Sequence, residues 1–160
     1  MSKQGYWVIP FSIAVALLLT LLPLPEWARL FRPEWVSLVC IYWALATPHR
    51  FGLISAWMAG LFLDVAIGSL LCQHAIGLTI VAYVVLHQHQ KLRVAPVSQQ
   101  SLIIFFLLIV KQTIALWISG IINQTPDSIL LFYAPALISM LLWPSVMVIL
   151  RTLRRSAQLK

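Results

Sequence analysis

The sequence predicts an all-α integral membrane protein: a compact bundle of six transmembrane helices, forming a single polytopic domain over 1–160. Three observations predict it. Hydrophobic residues make up 61% of the chain and charged residues 9%, against roughly 45–50% and 25% in an ordinary soluble domain. A mean hydropathy of +0.93 leaves too little polar surface to cover a soluble fold. The apolar residues also fall in six runs, separated by short connectors that carry most of the prolines and basic residues.

A helix needs about 20 apolar residues to cross a ~30 Å hydrocarbon layer. The first run, 6–24, fits that length and ends at Pro23 and Pro25. Lys3 before it gives the outline of a signal peptide. No small-residue cleavage site follows, and the run continues into LLPLPEW, so an uncleaved first span is expected. The connector PEWARLFRPEW places Trp27 and Trp35 where headgroup-level anchors belong. The second span, 34–47, stops at Pro48, His49 and Arg50, and the third covers 51–71. The fourth, 74–87, ends at HQHQKLR, and the fifth, 101–122, runs around Lys111. The sixth, 129–150, contains Pro135 and Pro144, each expected to kink it by removing a backbone donor.

The second and fourth runs are short, and alone would suit buried or re-entrant segments. The basic residues decide for full crossings. With six crossings, Lys3, Arg50, Lys91, Arg93, Arg151, Arg154, Arg155 and Lys160 fall on one side, eight of the eleven. Arg29 and Arg32 fall on the other, and Lys111 lies within the membrane. This asymmetry predicts cytoplasmic N- and C-termini.

The net charge of +7 therefore reads as topology and not as a nucleic-acid surface, which would need a basic stripe or a reading motif. The C-terminal TLRRSAQLK reads as a solvated topological cluster, with contact to anionic headgroups as the sharper alternative. Cys40 and Cys72 lie in or beside apolar runs and predict no disulfide framework. Cys72-Gln73-His74 and His87-Gln88-His89 have the look of metal ligands, yet residues two apart point to different faces of a helix. Interfacial histidines are the expectation, with no metal and no cofactor. No nucleophile elbow, phosphate loop, HExxH or close carboxylate pair occurs, so no enzyme is predicted.

One residue demands explanation. Asp64 sits inside GLFLDVAIGSL, and only four of the 160 residues are acidic. Steps of four from it give Gly52, Ala56, Gly60, Asp64 and Gly68, a ridge of small residues suited to close helix packing. An aspartate at mid-bilayer costs ~2.5–3.5 kcal/mol on insertion scales and is normally paired, protonated or functional. At ~1.5 Å per residue, Asp64 lies about 20 Å and Lys111 about 15 Å into their spans, a difference the lysine stem covers. A polar core of Asp64 and Lys111, neighbours or members of one cluster, is one expectation. The other is that Asp64 caps a helix start or bonds a Ser or Thr while Lys111 snorkels separately.

Phe31-Arg32-Pro33-Glu34-Trp35-Val36, Tyr42-Trp43, Pro48-His49-Arg50, and then Gly60-Leu61, Asp64 and Gly68 resemble the rod shape-determining protein MreD family in order and spacing. Total length and the six-run hydropathy agree from end to end. One departure is Leu71-Cys72, where many members have Leu-Gly. The resemblance implies a multi-pass protein of the bacterial inner (cytoplasmic) membrane. It implies a non-enzymatic scaffold of the elongation machinery, bound to MreC and through it to MreB and the RodA–PBP2 peptidoglycan synthase. It also implies an architecture similar to the S-components of energy-coupling-factor transporters. A small-molecule-binding subunit of that type, using Asp64 and Lys111, is the alternative function. Within the motif, Arg32 and Pro33 are expected to set the start of the second helix, with Trp35, Pro48, His49 and Arg50 as further family positions.

Overall fold

The computed structural model describes residues 5–157, so Lys3 and Lys160 of the charge count lie outside the described residues. The elements are α1 (Val8–Leu21), α2 (Glu26–Arg29), α3 (Trp35–Ala46), α4 (Leu53–Ile67), α5 (Gln73–Val94), α6 (Val97–Ile121), α7 (Ile129–Phe132) and α8 (Ala134–Ser156). The described residues contain no strand. Each apolar run carries a helix, but the boundaries move for local reasons. The fourth continues through HQHQKLR to Val94, because those polar residues are adequate helix formers and nothing stops them before Pro96. Pro96 forces Ala95 into extended geometry and then leads into α6.

The sixth run corrects an expectation. Pro135 does not kink a continuous helix. It lies in the first turn of α8, after the single turn α7, where its missing N–H costs nothing. Pro144 does lie inside α8.

α3 sits at the centre of the bundle. It has 12 residues, of which ten in succession, Val36 to Leu45, are buried. At 1.5 Å per residue it is only ~18 Å long. α1, α4, α5 and α8 pack around it, while α6 packs on α5 and α8. A helix that is apolar on every face can be covered on every face, and α3 is. Two tryptophans lock this core. Trp43 of α3 donates its indole N–H to Ser12 Oγ of α1 at 2.7 Å. Trp143 of α8 donates to Gln100 Oε1 of α6 at 3.3 Å, and both rings are fully buried.

The outward faces are apolar as well. Leu18, Ile54, Phe106 and Leu141 are all exposed on different helices, a distribution that suits lipid and would aggregate in water. α6 and the 129–156 segment are each long and apolar enough to cross a membrane, whereas α1, α3 and α4 are shorter apolar helices. Arg50 stacks over the Tyr6 ring at 4.9 Å, and Arg154 reaches the Ala46 carbonyl at 3.4 Å. The two ends of the described chain therefore meet at the end of the bundle where α3 finishes, here the basic end.

Candidate functional site

At the opposite end the α4–α5 corner turns on Asp64. Gly68, at φ 72°, closes α4 in the left-handed region and returns its N–H to the Asp64 carbonyl, with Ser69 N–H following at 3.1 Å. Cys72, at φ 74°, then opens α5 with no side-chain cap of its own. The first N–H groups of a helix have no intrahelical partner, and here Asp64 supplies it from the preceding helix. Its Oδ1 accepts from His74 N–H at 2.9 Å, and its Oδ2 accepts from Ala75 N–H at 3.3 Å. Oδ1 also accepts from Ser69 Oγ at 2.8 Å and lies 2.8 Å from His74 Nδ1. A carboxylate at a helix N-terminus is favoured by the helix dipole as well. Asp64 is 0% exposed, with both oxygens engaged.

The second buried charge centre lies beside it, around Glu34. Glu34 precedes α3, and its Oε2 accepts from Lys111 Nζ of α6 at 2.5 Å and Ser37 Oγ at 2.7 Å. Its Oε1 accepts from Gln112 Nε2 at 2.7 Å, and its backbone N–H donates to Ser139 Oγ of α8 at 2.9 Å. One residue thus ties α3, α6 and α8 together, its carboxylate reaching α6 and its backbone N–H reaching α8. Gly77 of α5 makes room for the lysine, since a Cβ there would come within 2.7 Å of Lys111 Cγ.

Direct pairing of Asp64 with Lys111 is therefore corrected. Lys111 belongs to Glu34, and it neither snorkels nor reaches Asp64. Asp64 takes the capping and serine-bonding role instead, because the N–H groups of α5 stand next to it. His74 is likewise not an interfacial histidine but part of the Asp64 corner. Among the described residues no three metal-ligating side chains come together.

Between these centres and the α1–α3 connector is a cavity of about 290 Å³. Arg29, Arg32, Glu34, His74, Lys111 and Gln112 contribute its polar wall, and Asp64 does not line it. Arg32 Nε and Gln112 Oε1 are buried without a hydrogen-bond partner, and the rest of the cavity wall is mostly apolar, with Trp35, Leu63, Ile67 and Phe132 among its residues.

The family model described as "rod shape-determining protein MreD" matches residues 1–153. A relative with the same description from Haemophilus influenzae is 27% identical over 160 residues, covering 98% of this chain and 95% of its own length. The chain belongs to the MreD family. No solved structure matches it significantly. Membership in the MreD family carries a role in rod-shape determination.

The residues of the family motif have separate duties in this member. The Arg32 guanidinium donates to the Thr20 carbonyl and, at 2.5 Å, to the Leu22 carbonyl. It thereby closes the C-terminal end of α1, which Pro23 prevents from extending. Pro33 accepts from Trp35 N–H at 3.0 Å in the turn into α3. Trp35 is half-buried against the core, so of the two expected anchors only Trp27, 73% exposed, stands free. Pro48, His49 and Arg50 form the turn after α3.

The small-residue ridge divides in the same way. Ala56 is fully buried, and a Cβ on Gly60 would lie 2.4 Å from Ala75 Cα, so Gly60 permits the close approach of α4 and α5. Gly52 and Gly68 depart from the packing expectation. A Cβ on either would meet nothing within 4 Å, because Gly52 precedes α4 and Gly68 follows it. Sequence reasoning passes over Glu34 as a partner for Lys111. The available signal is that a membrane protein with four acids has few candidates for a buried cation, and one of them stands in the family motif.

Proposed function

We propose that the protein is a non-enzymatic scaffold of the cell-elongation machinery in the bacterial inner membrane. All six long helices cross the bilayer, with both termini cytoplasmic. It holds MreC against its outer helical faces and so organises peptidoglycan synthesis by the RodA–PBP2 enzymes alongside MreB. The observation that carries this reading is how the buried acids are used. Asp64 and Glu34 are both engaged in joining helices, Asp64 at the α4–α5 corner and Glu34 across α3, α6 and α8. Charges engaged in this way fix the helices against one another, as a rigid docking surface requires. Family membership supports the rod-shape role. The test is capture of partners from detergent-solubilised membranes by tagged wild type and by Asp64→Ala at matched expression. MreC and the synthase should come down with wild type and be reduced with the variant. Capture of no cell-wall partner by wild type would overturn the scaffold.

A second reading, a membrane subunit binding a small polar molecule, is favoured by the ~290 Å³ cavity, whose wall includes Arg29, Arg32, His74 and Lys111. It uses Lys111 but replaces Asp64 with Arg32 and His74. A small molecule that co-purifies with wild type and is lost from Lys111→Met would establish it.

A further inference from the structure

We propose that a cleft at the basic end of the bundle binds the phosphate of an anionic glycerophospholipid headgroup. The cleft has a volume of about 180 Å³, and its wall includes Tyr42, Arg93, Gln100, Met147, Arg151 and Arg154. Arg93 comes from the last turn of α5, while Arg151 and Arg154, three residues apart, share a face of α8. Three guanidiniums thus converge on one opening from two helices. Tyr42 of α3 joins them in the wall.

Among the described residues nothing balances this charge. The chain has four acidic side chains. Glu34 and Asp64 are engaged in the two centres described above, and Glu26 (in α2) and Asp127 (between α6 and α7) belong to the opposite end. Among the described residues neither Arg93 nor Arg151 has a carboxylate partner, and Arg154 makes only the long 3.4 Å contact to the Ala46 carbonyl. The neighbouring amide is no substitute. Gln100 spends its N–H donors on the Leu92 and Ala95 carbonyls at 2.8 and 3.1 Å and its oxygen on Trp143. Like charges gathered in one cleft repel unless an anion enters, and guanidinium forks match phosphate oxygens.

Size and surroundings select a lipid. The cleft holds about six water volumes, enough for a phosphate and part of its glycerol but not for a peptide segment. Met147 and Leu45 give it an apolar side, and the exposed Val148 and Ile149 continue along α8 just before Arg151. A basic pocket between helices, at the level where they leave the hydrocarbon, is a recognised setting for anionic headgroups. The proposal does not depend on MreC binding or on the small-molecule reading.

The experiment is native mass spectrometry of the delipidated full-length protein, titrated with phosphatidylglycerol or phosphatidylcholine. Wild type should retain phosphatidylglycerol in preference to phosphatidylcholine, and raising ammonium acetate should weaken the retention. Arg93 and Arg151 are exposed, so Arg93→Gln and Arg151→Gln are expected to leave the fold intact, as thermal unfolding without lipid would verify. Each should weaken phosphatidylglycerol about fivefold, at ~1 kcal/mol per basic residue near a headgroup. Arg29→Gln, at the other end, should leave phosphatidylglycerol retention unchanged, whatever it does at the cavity there. Equal retention of the two lipids, salt-independent retention, or unchanged binding in the folded Arg93→Gln/Arg151→Gln variant would overturn the site. Displacement of the lipid by inorganic phosphate as effectively as by glycerophosphate would make it a free-anion site, and displacement by a short polyglutamate would make it a peptide site. Either result overturns the lipid assignment.

Discussion

Lys111 of α6 donates to Glu34, 77 positions earlier in the chain, at 2.5 Å, while Asp64 turns away to the N-terminus of α5. The buried Asp64 and Lys111 and the largely buried Glu34 therefore make two separate centres. Asp64 is satisfied by backbone N–H groups and a hydroxyl, which its own corner provides. Glu34 has no such corner and finds the lysine, so the long-range tie runs between α3 and α6.

Removing one member of the Glu34–Lys111 pair strands the other. Lys111→Met and Glu34→Gln should each cost about 3–5 kcal/mol, the usual penalty for breaking a buried pair from one side. The double variant leaves no uncompensated charge and should recover most of the loss. Thermal unfolding in detergent, followed by tryptophan fluorescence, reads all three. Strict additivity of the two single effects would reject the pair.

The cap at the α4–α5 corner predicts a graded response. Asp64→Ala leaves the His74 and Ala75 N–H groups without their acceptor and should cost about 1–2 kcal/mol. Asp64→Asn keeps an acceptor and should cost less. Combined with Lys111→Met, Asp64→Asn should show a coupling well below that of Glu34→Gln with Lys111→Met, because Asp64 and Lys111 make no direct contact. A larger coupling in that double-mutant cycle would restore the direct Asp64–Lys111 pair.

The four-residue ridge should not behave as a unit. Gly60→Ala drives a methyl toward the Ala75 backbone and should destabilise by about 1–3 kcal/mol. Gly52→Ala enters open space with φ −99° and should lie within about 0.5 kcal/mol of wild type. Equal damage at the two positions in the same unfolding assay would mean that the whole ridge packs.

Cys72 occupies the left-handed region at φ 74°, which costs an L-residue roughly 1–2 kcal/mol. Cys72→Gly should therefore raise stability by about 0.5–1 kcal/mol, the strain relief being offset partly by the freer unfolded chain. Gly68→Ala, placed at φ 72°, should move it the opposite way. A melting temperature that falls for Cys72→Gly would show that the thiol makes a compensating contact.

Much of the secondary structure is legible because its signals are local. Pro23 and Pro25 end α1 and Pro48 follows α3, as their missing N–H groups predict, whereas Pro135, expected as a kink, opens α8 instead. Gly60 is legible as a small residue on a ridge, whereas Gly68 shares its spacing but acts through backbone conformation, which spacing does not report. Glu34 is harder still. It stands in a polar connector beside two tryptophans, where an interfacial, solvated acid is the ordinary reading. Only the packing of α6 and α8 over the start of α3 makes it buried.

Composition and the length of apolar runs already specify the medium and the helical class of this protein, because they act through solvation, residue by residue. The clustering of basic residues in alternate connectors likewise follows from their order along the chain. Tertiary structure alone decided that α3 is enclosed on every side, that Asp64 caps α5, and that Glu34 takes Lys111. Lipid and protein interior are equally apolar, so hydropathy cannot tell a lipid-facing helix from a central one. A buried charge specifies that it needs a partner, but which partner it finds depends on distances that exist only once the helices have packed.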